Sequence, residues 1–488
     1  MVARRQCGFD ENFSSRQRLA DLESEISRVQ SVLHDLERQQ VPLKREINTS
    51  VPILQLPPEI TSEIFIIYLS PNIWNEQSCH HASPLIFGKI CSAWREVAWS
   101  TPALWTSIQL NLNRATDHHA ILTNEWLLRS MGQPLAIFAT FDLDSEEVGF
   151  DSASVAIISV IAGYSHQWQK VHFQLPEFCY DALECVRNHL PILHLVSICI
   201  RTEFGDEGPS MMSMFRVAPQ LHTVHVDSDY LNRIVLPTNQ LTTLSVCCTD
   251  VDECLDMLQR SPHVTSCVFK GIMASSEGPF HVHASQLEVL EITDISEMFN
   301  DVIDVAFDHL TIPAVRRISC HAHRELPMKT YLPYQHFISL IQRSSCLLQS
   351  FNLDGLRIFS DLDLIKCLRV VPSLSELSLV DVNITNDIFR MLDPRHPSDT
   401  PPCLLPNLRT LEYSGDLCLD FSVISSLLHS RWEANEDLSS NSCLAQLQSV
   451  SIETTAEGIL DDHILSLLKL LIKKGMKISL VTSDGKWL

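Results

Sequence analysis

Pro219–Val226 reads PQLHTVHV, Pro372–Leu379 reads PSLSELSL and Pro406–Tyr413 reads PNLRTLEY. Each places an apolar residue, two others, an apolar residue, one other and a last apolar residue in order: Leu221, Val224, Val226; Leu374, Leu377, Leu379; Leu408, Leu411, Tyr413. The last two lie on one face of a short strand, and the first turns inward from the loop that enters it. Working outward, the same pattern occurs at Trp105, Ile108, Leu110; Trp168, Val171, Phe173; Leu193, Val196, Ile198; and Leu241, Leu244, Val246. It continues at Val264, Cys267, Phe269; Leu287, Leu290, Ile292; Val315, Ile318, Cys320; Leu348, Phe351, Leu353; and Leu447, Val450, Ile452. Successive units are about 20 to 40 residues apart, which brackets the period of leucine-rich repeats.

Between these strands lie helical patterns such as VDECLDMLQRS, FSDLDLIKCLRVV and DDHILSLLKLLIKKG. Each unit should run strand, helix, then a parallel neighbouring strand, so the expected architecture is a curved α/β solenoid with a parallel sheet. The usual Asn or Cys column of such repeats is mostly absent, which makes the units irregular. Strand alternation also assigns the opposite face. If Val224 and Val226 point inward, Thr223, His225 and Asp227 point outward. The same logic selects a polar ladder along one concave surface, with His225, Glu291, Arg317, Ser319, Asn352, Glu376, Ser378 and Glu412 as expected target-binding residues. The plainer alternative makes this ladder only the solvated side of the sheet.

Upstream, Leu19, Leu22, Ile26, Val29, Leu33, Leu36, Leu43 and Ile47 recur at alternating steps of three and four, with Gln40 in the one polar slot. This is a heptad seam flanked by charge. It fits a weak homodimeric coiled coil or an amphipathic helix lying on its own domain, and Pro42 is expected to end or kink it. The expected division is 1–50 for this helix, 51–112 for a small helical domain and 113–488 for the solenoid.

The chain has 488 residues, 45% hydrophobic and 19% charged, a balance typical of folded domains and too long for one ordinary core. The formal net charge of −23 disfavours nucleic acid and anionic membranes and favours neutral or basic protein partners. No secretory signal or spanning stretch is evident, and the 16 cysteines form no regular framework. Reduced, buried thiols at positions such as Cys254, Cys267 and Cys320 and a cytoplasmic or nuclear location are the expectation.

The segment from Val51 to about Leu112 contains PILQLPPEITSEIFIIYLSPN and, after an insert, PLIFGKICSAWREVAWSTPALWTSIQL. Pro57 and Pro58 suit a first helical turn, Glu59 complements the positive end of that helix, and Ile60, Ile64 and Ile67 form an apolar stripe. So short a segment cannot bury all its large apolar side chains by itself, so some should face a partner or the solenoid. The residues Leu56, Pro57, Pro58, Glu59, Ile60, Ile64, Phe65 and Leu69, followed by Cys91, Trp94, Arg95, Val97, Ala98, Pro102, Leu104 and Trp105, resemble an F-box. With a leading coiled coil and degenerate repeats, the whole chain resembles the F-box-like proteins abundant in mushroom-forming fungi. One departure is the insert around residues 72–83, NIWNEQSCHHAS, which is longer than the compact F-box loop.

That resemblance implies a substrate-recognition adaptor of an SCF-type (Skp, cullin, F-box) ubiquitin ligase, acting in ubiquitin-dependent degradation. Leu56, Pro57, Pro58, Glu59, Ile60, Ile64, Leu69, Cys91, Trp94 and Val97 would dock the Skp adaptor, and through it a cullin. The solenoid would bind a target of unknown identity. The rival reading is a scaffold outside any ligase whose F-box-like segment only caps the solenoid.

No catalytic or cofactor role is expected, since GxxxxGK[ST], GxGxxG after a strand, HExxH and GxSxG are all missing and glycine is scarce at 14 residues. Cys79, His80, His81 and Cys91 lack zinc-ligand spacing, and Cys320, His321 and His323 alternate faces of a strand. Paired acids at Glu146 and Glu147, or Asp461 and Asp462, read as solvated charge or helix-start stabilisation.

Overall fold

A computed structural model of the chain describes residues 3–69, 83–142, 151–200, 211–228, 230–247, 249–273, 281–295, 300–322, 331–358, 360–395, 404–416, 420–433, 444–454, 462–482 and 485–486. The insert at 72–82, with Cys79, His80 and His81, lies outside the described residues, as do Glu146, Glu147, His323 and Asp461. The chain divides into two compact units: Met1–Thr106 with Arg129–Met131, and Ser107–Leu128 with Gly132–Leu488. The boundary expected after residue 112 falls instead after Thr106, because Ser107–Asn111 is already a strand of the sheet.

The first unit is helical: α1 (Ala3–Thr49), α2 (Pro58–Leu69), α3 (Leu85–Ile90) and α4 (Ser92–Trp99). The helix α1 runs through Pro42 to Thr49, so the expected stop at that proline is not observed. Pro42 lies on an exposed face, where the carbonyl that loses its intrahelical donor can be served by water. In α2 the Pro57 carbonyl accepts the first helical bond from the Thr61 N–H at 3.0 Å, and Glu59 sits in the first turn. Phe65 is the central plug. Its ring stacks on Phe87 at 3.8 Å and meets Trp94 edge-on at 5.1 Å. A side chain at Gly88 would put its Cβ 2.6 Å from the Trp99 ring, so only glycine lets α3 and α4 pack this closely. The Arg95 Nε donates to the Gly88 carbonyl at 3.0 Å, and the Trp105 indole N–H donates to the Ala98 carbonyl at 2.8 Å.

The second unit is built on strands β1 (Ser107–Asn111), β2 (Leu135–Thr140), β3 (Trp168–Gln174), β4 (Leu195–Ile200), β5 (Thr223–Ser228), β6 (Thr243–Cys247), β7 (Ser266–Lys270), β8 (Val282–His283) and β9 (Val289–Ile295). It continues with β10 (Leu310–Thr311), β11 (Arg317–Ala322), β12 (Ser350–Asp354), β13 (Glu376–Val380), β14 (Thr410–Gly415), β15 (Ser449–Thr454), β16 (Lys477–Thr482) and β17 (Gly485–Lys486). Leaving out β8 and β10, which pair with each other, these form one 15-stranded sheet in chain order. Its ladder is parallel from β1 to β16, with β17 antiparallel at the end. The fold is therefore a leucine-rich-repeat-like α/β solenoid.

Every repeat read from the sequence is a strand of this sheet. Helices Val251–Arg260, Asp361–Arg369 and Asp462–Lys473 stand where helical periodicity put them. The step from β5 to β6 departs from the expected unit, since single turns at Leu231–Arg233 and Thr238–Gln240 replace a helix. Inward residues pair in register, for example Val224 with Leu244 and Val226 with Val246, and all four are buried. Successive units are also stitched by arginines. The Arg431 guanidinium, fully buried, donates to the carbonyls of Leu392 (3.0 Å), Leu405 (2.9 Å) and Leu404 (2.6 Å), serving the end of helix Asn386–Leu392. Arg343 does the same for Leu310 at 3.0 Å, just beyond helix Asn300–His309. In both cases a cation meets the negative end of the preceding unit's helix, where carbonyls lack intrahelical donors.

Candidate functional site

Each unit offers one surface. In the helical unit a pocket of about 410 Å³ is lined by Leu54, Leu56, Pro58, Thr61, Ala93, Trp94, Glu96, Val97 and Ser100. It brings together four of the expected adaptor-binding residues: Leu56, Pro58, Trp94 and Val97. The Trp94 indole N–H is out of solvent contact and has no hydrogen-bond partner among the described residues. An indole donor left without an acceptor is a cost that this packing carries. Ile60 and Ile64 do not line this pocket. They stand exposed on α2 with Ile67 and Tyr68, while Thr61 and Phe65 on the same helix are buried. Pro57 and Glu59 are exposed at the start of α2, and Leu69, at its end, is half-buried. Cys91 acts locally, since its Sγ accepts from the Trp94 N–H at 3.5 Å and caps α4.

In the solenoid the outward residues fall into three columns fixed by the ladder register. The middle column reads Phe138, His172, Ser197, His225, Ser245, Val268 across β2 to β7. From β9 to β15 it reads Glu291, Ser319, Asn352, Ser378, Glu412, Ser451. Six of the expected target-binding residues, His225, Glu291, Ser319, Asn352, Ser378 and Glu412, are thus in one line, and Arg317 and Glu376 lie one column away in register with Ser350. Arg317, Glu376 and Glu412 are exposed; Ser319 is buried at 7% exposure, so it contributes to the floor rather than offering a contact.

Neighbours in these columns interact across strands. Ser378 Oγ donates to the Glu412 carboxylate at 2.9 Å, and the His172 ring and Ser197 hydroxyl share a hydrogen bond of 2.9 Å. His321, in the third column, is 3.4 Å from the Asp354 carboxylate and 3.9 Å from that of Glu291. The Asn352 amide oxygen is shielded from solvent without a hydrogen-bond partner among the described residues. At the strand-entry edge the rings of His194 and His222 stack at 5.4 Å. Burial, with His222 and Lys170 beside it, holds the His194 imidazole below the usual histidine range. Phe138, His172 and Ser245 extend the ladder into the first half of the sheet and escaped the sequence reading, though alternation from Ile137, Val171 and Leu244 selects them.

Among the described residues no group of three His, Cys, Asp or Glu is placed to hold a metal ion, and no helix is long and apolar enough to cross a membrane. Cys320 is buried in the core and His321 faces outward, as alternation requires. Burial lifts the thiols of Cys179 and Cys367 to about 12, and that of Cys320 likewise to about 12.

No protein-family model matches the chain, and no curated protein matches it in sequence. Among solved structures, an internalin from Listeria monocytogenes aligns over 81% of this chain and 92% of its own, with 11% identity and a TM-score of 0.31. A likeness this low leaves the architecture resting on the strand ladder itself.

Proposed function

We propose that this protein is a substrate-recognition adaptor of an SCF-type ubiquitin ligase. Its helical unit docks a Skp-type adaptor, and through it a cullin, while its solenoid binds the target protein; the chain itself performs no chemistry. The observation that carries this reading is the surface of the helical unit. Ile60 and Ile64 are left exposed on α2, and Leu56 is exposed at the rim of the pocket that Trp94 helps to line. Large apolar side chains left exposed on so small a unit mark a protein interface. These residues belong to the segment whose order of Leu-Pro, Cys-x-x-Trp-Arg and Pro-x-Leu-Trp resembles an F-box.

The solenoid supports the second half of the reading. A continuous polar ladder backed by a packed core is a rigid platform for protein recognition. Strands are about 4.8 Å apart and helices about 10 Å, so the strand side is the inner side of any bend. The net charge of −23 favours a neutral or basic target. Cytoplasm or nucleus is where such a complex would act.

Affinity purification of the full chain with mass spectrometry, after cullin activation or the proteasome is blocked, tests both halves together. Recovery of a Skp-type adaptor with cullin, and enrichment of one or a few further proteins, is the expected outcome. Partners recovered without any Skp-type adaptor would instead establish a scaffold outside the ligase.

A further inference from the structure

We infer that α1 pairs with α1 of a second copy of this chain as a parallel, in-register, two-stranded coiled coil. Among the described residues of the helical unit nothing covers the seam read from the sequence: Leu19, Leu22, Ile26, Val29, Leu33, Leu36, Leu43 and Ile47 are each between 53% and 67% exposed. That excludes the reading in which the helix lies on its own domain. A stripe of this length, open to water over about four heptads, gains from mutual burial.

Two features of the seam choose the occupant and the direction. Steps of three and four put Leu19, Ile26, Leu33, Gln40 and Ile47 in the a positions and Leu22, Val29, Leu36 and Leu43 in the d positions. Leucine at most d positions with β-branched residues among the a positions favours two strands. In a parallel, in-register pair Gln40 meets the other Gln40, and each amide can both donate and accept. In either antiparallel register that keeps a opposite d over this length, Gln40 meets Leu22 or Val29, and a buried amide is left without a partner. A partner of unrelated sequence would have to supply a polar residue at that same layer, whereas a second copy does so automatically.

The flanking charges agree. In the parallel pair, Arg18 at a g position faces Glu23 at the following e position of the other helix, twice by symmetry, and the later g–e pairs contain no like charges: Glu25 with Gln30, Val32 with Glu37, Gln39 with Lys44. Each antiparallel register offsets its opposite-charge pair with a like pair: Arg18 with Glu46 against Glu23 with Glu37, or Glu23 with Lys44 against Glu25 with Glu46. Pro42 falls at a c position, away from the seam, so the helix continues beneath it without disturbing the contact.

The test uses the full chain. Sedimentation velocity at about 10 µM should give twice 55.2 kDa. The double variant Ile26→Glu, Leu33→Glu should give a single 55.2 kDa species whose solenoid melts as in the parent, because both side chains are exposed in one copy. The direction is read from two charge variants. Arg18→Glu and Glu23→Arg should each weaken self-association about tenfold, as two opposite-charge pairs become two like-charge pairs, and mixing the two variants should restore it as a heterodimer. A monomeric unmodified chain, a trimer or tetramer, or a Glu23→Arg variant that associates more tightly by itself would overturn the inference.

Discussion

Ile60 and Ile64 give the most direct measure of whether the helical unit docks a partner. They are 50% and 43% exposed, whereas Phe65, on the same helix, is 1% exposed. Fully burying an aliphatic side chain is worth about 1.5 to 3 kcal/mol, so covering the open half of each isoleucine contributes roughly 1 kcal/mol, or about 2 kcal/mol for the pair. Replacing both by alanine should therefore weaken adaptor binding about thirtyfold. Stability should change by less than about 0.5 kcal/mol per site, since both side chains are exposed. Phe65→Ala makes the contrast. It removes a ring stacked on Phe87 and edge-on to Trp94, should cost about 3 to 5 kcal/mol of stability, and should lose the adaptor by unfolding the unit. Calorimetric titration of a Skp-type adaptor onto each purified full-length variant, with thermal melts in parallel, separates the two effects. An Ile60→Ala, Ile64→Ala protein that binds within about twofold of the parent would refute docking through this stripe. Early melting of that variant would mean the stripe is already covered.

Charge reversal at Arg317, Glu376 and Glu412 together should reduce recovery of the target while leaving the melting temperature and adaptor binding unchanged, because all three are exposed. Normal recovery of every target would move the binding site off the sheet. Arg431→Met should destabilise the solenoid by at least about 3 kcal/mol, since three buried carbonyls lose a donor at about 1 kcal/mol or more each; chemical denaturation of the purified chain reads this directly. Cys254, Cys267, Cys320 and Cys367 should resist a thiol-labelling reagent in the native protein at pH 8 and react only after denaturation, because burial pushes all four thiols up; mass mapping of the labelled sites checks it.

The repeats were legible because burial alternates with period two and a large apolar residue enters each strand three positions earlier. Two strands of the parallel ladder, β2 and β16, escaped for one shared reason. In β2 the entering Leu135 stands two residues before Ile137, and in β16 Met476 stands two before Ile478, each one short of the pattern. The ladder takes up the difference at β3, where the register shifts between Leu135 and Ala136. The pocket around Trp94 had no comparable signal. Leu54, Ala93 and Ser100 line it only because α4 approaches the turn before α2, a tertiary event that no local spacing records. That the helix does not stop at Pro42 has a different reason. Its local cost is real, but a long helix already formed on both sides, with the proline on its wet face, tolerates one missing bond.

Parallel stacking divides the information in this chain between two faces. Inward positions at the strand centres are apolar in every unit, because each is packed between its neighbours in the preceding and following strands; one polar substitution there would leave a buried group without a partner. Outward positions carry no such demand, so Phe138, His225, Glu291 and Ser378 can stand in one column without disturbing the ladder. That freedom leaves the middle column's chemistry open to be set by what it meets. It also places stability and recognition on different side chains of the same strands, so that loss of target binding in the Arg317, Glu376 and Glu412 variant with unchanged melting can be attributed to the face rather than to the fold.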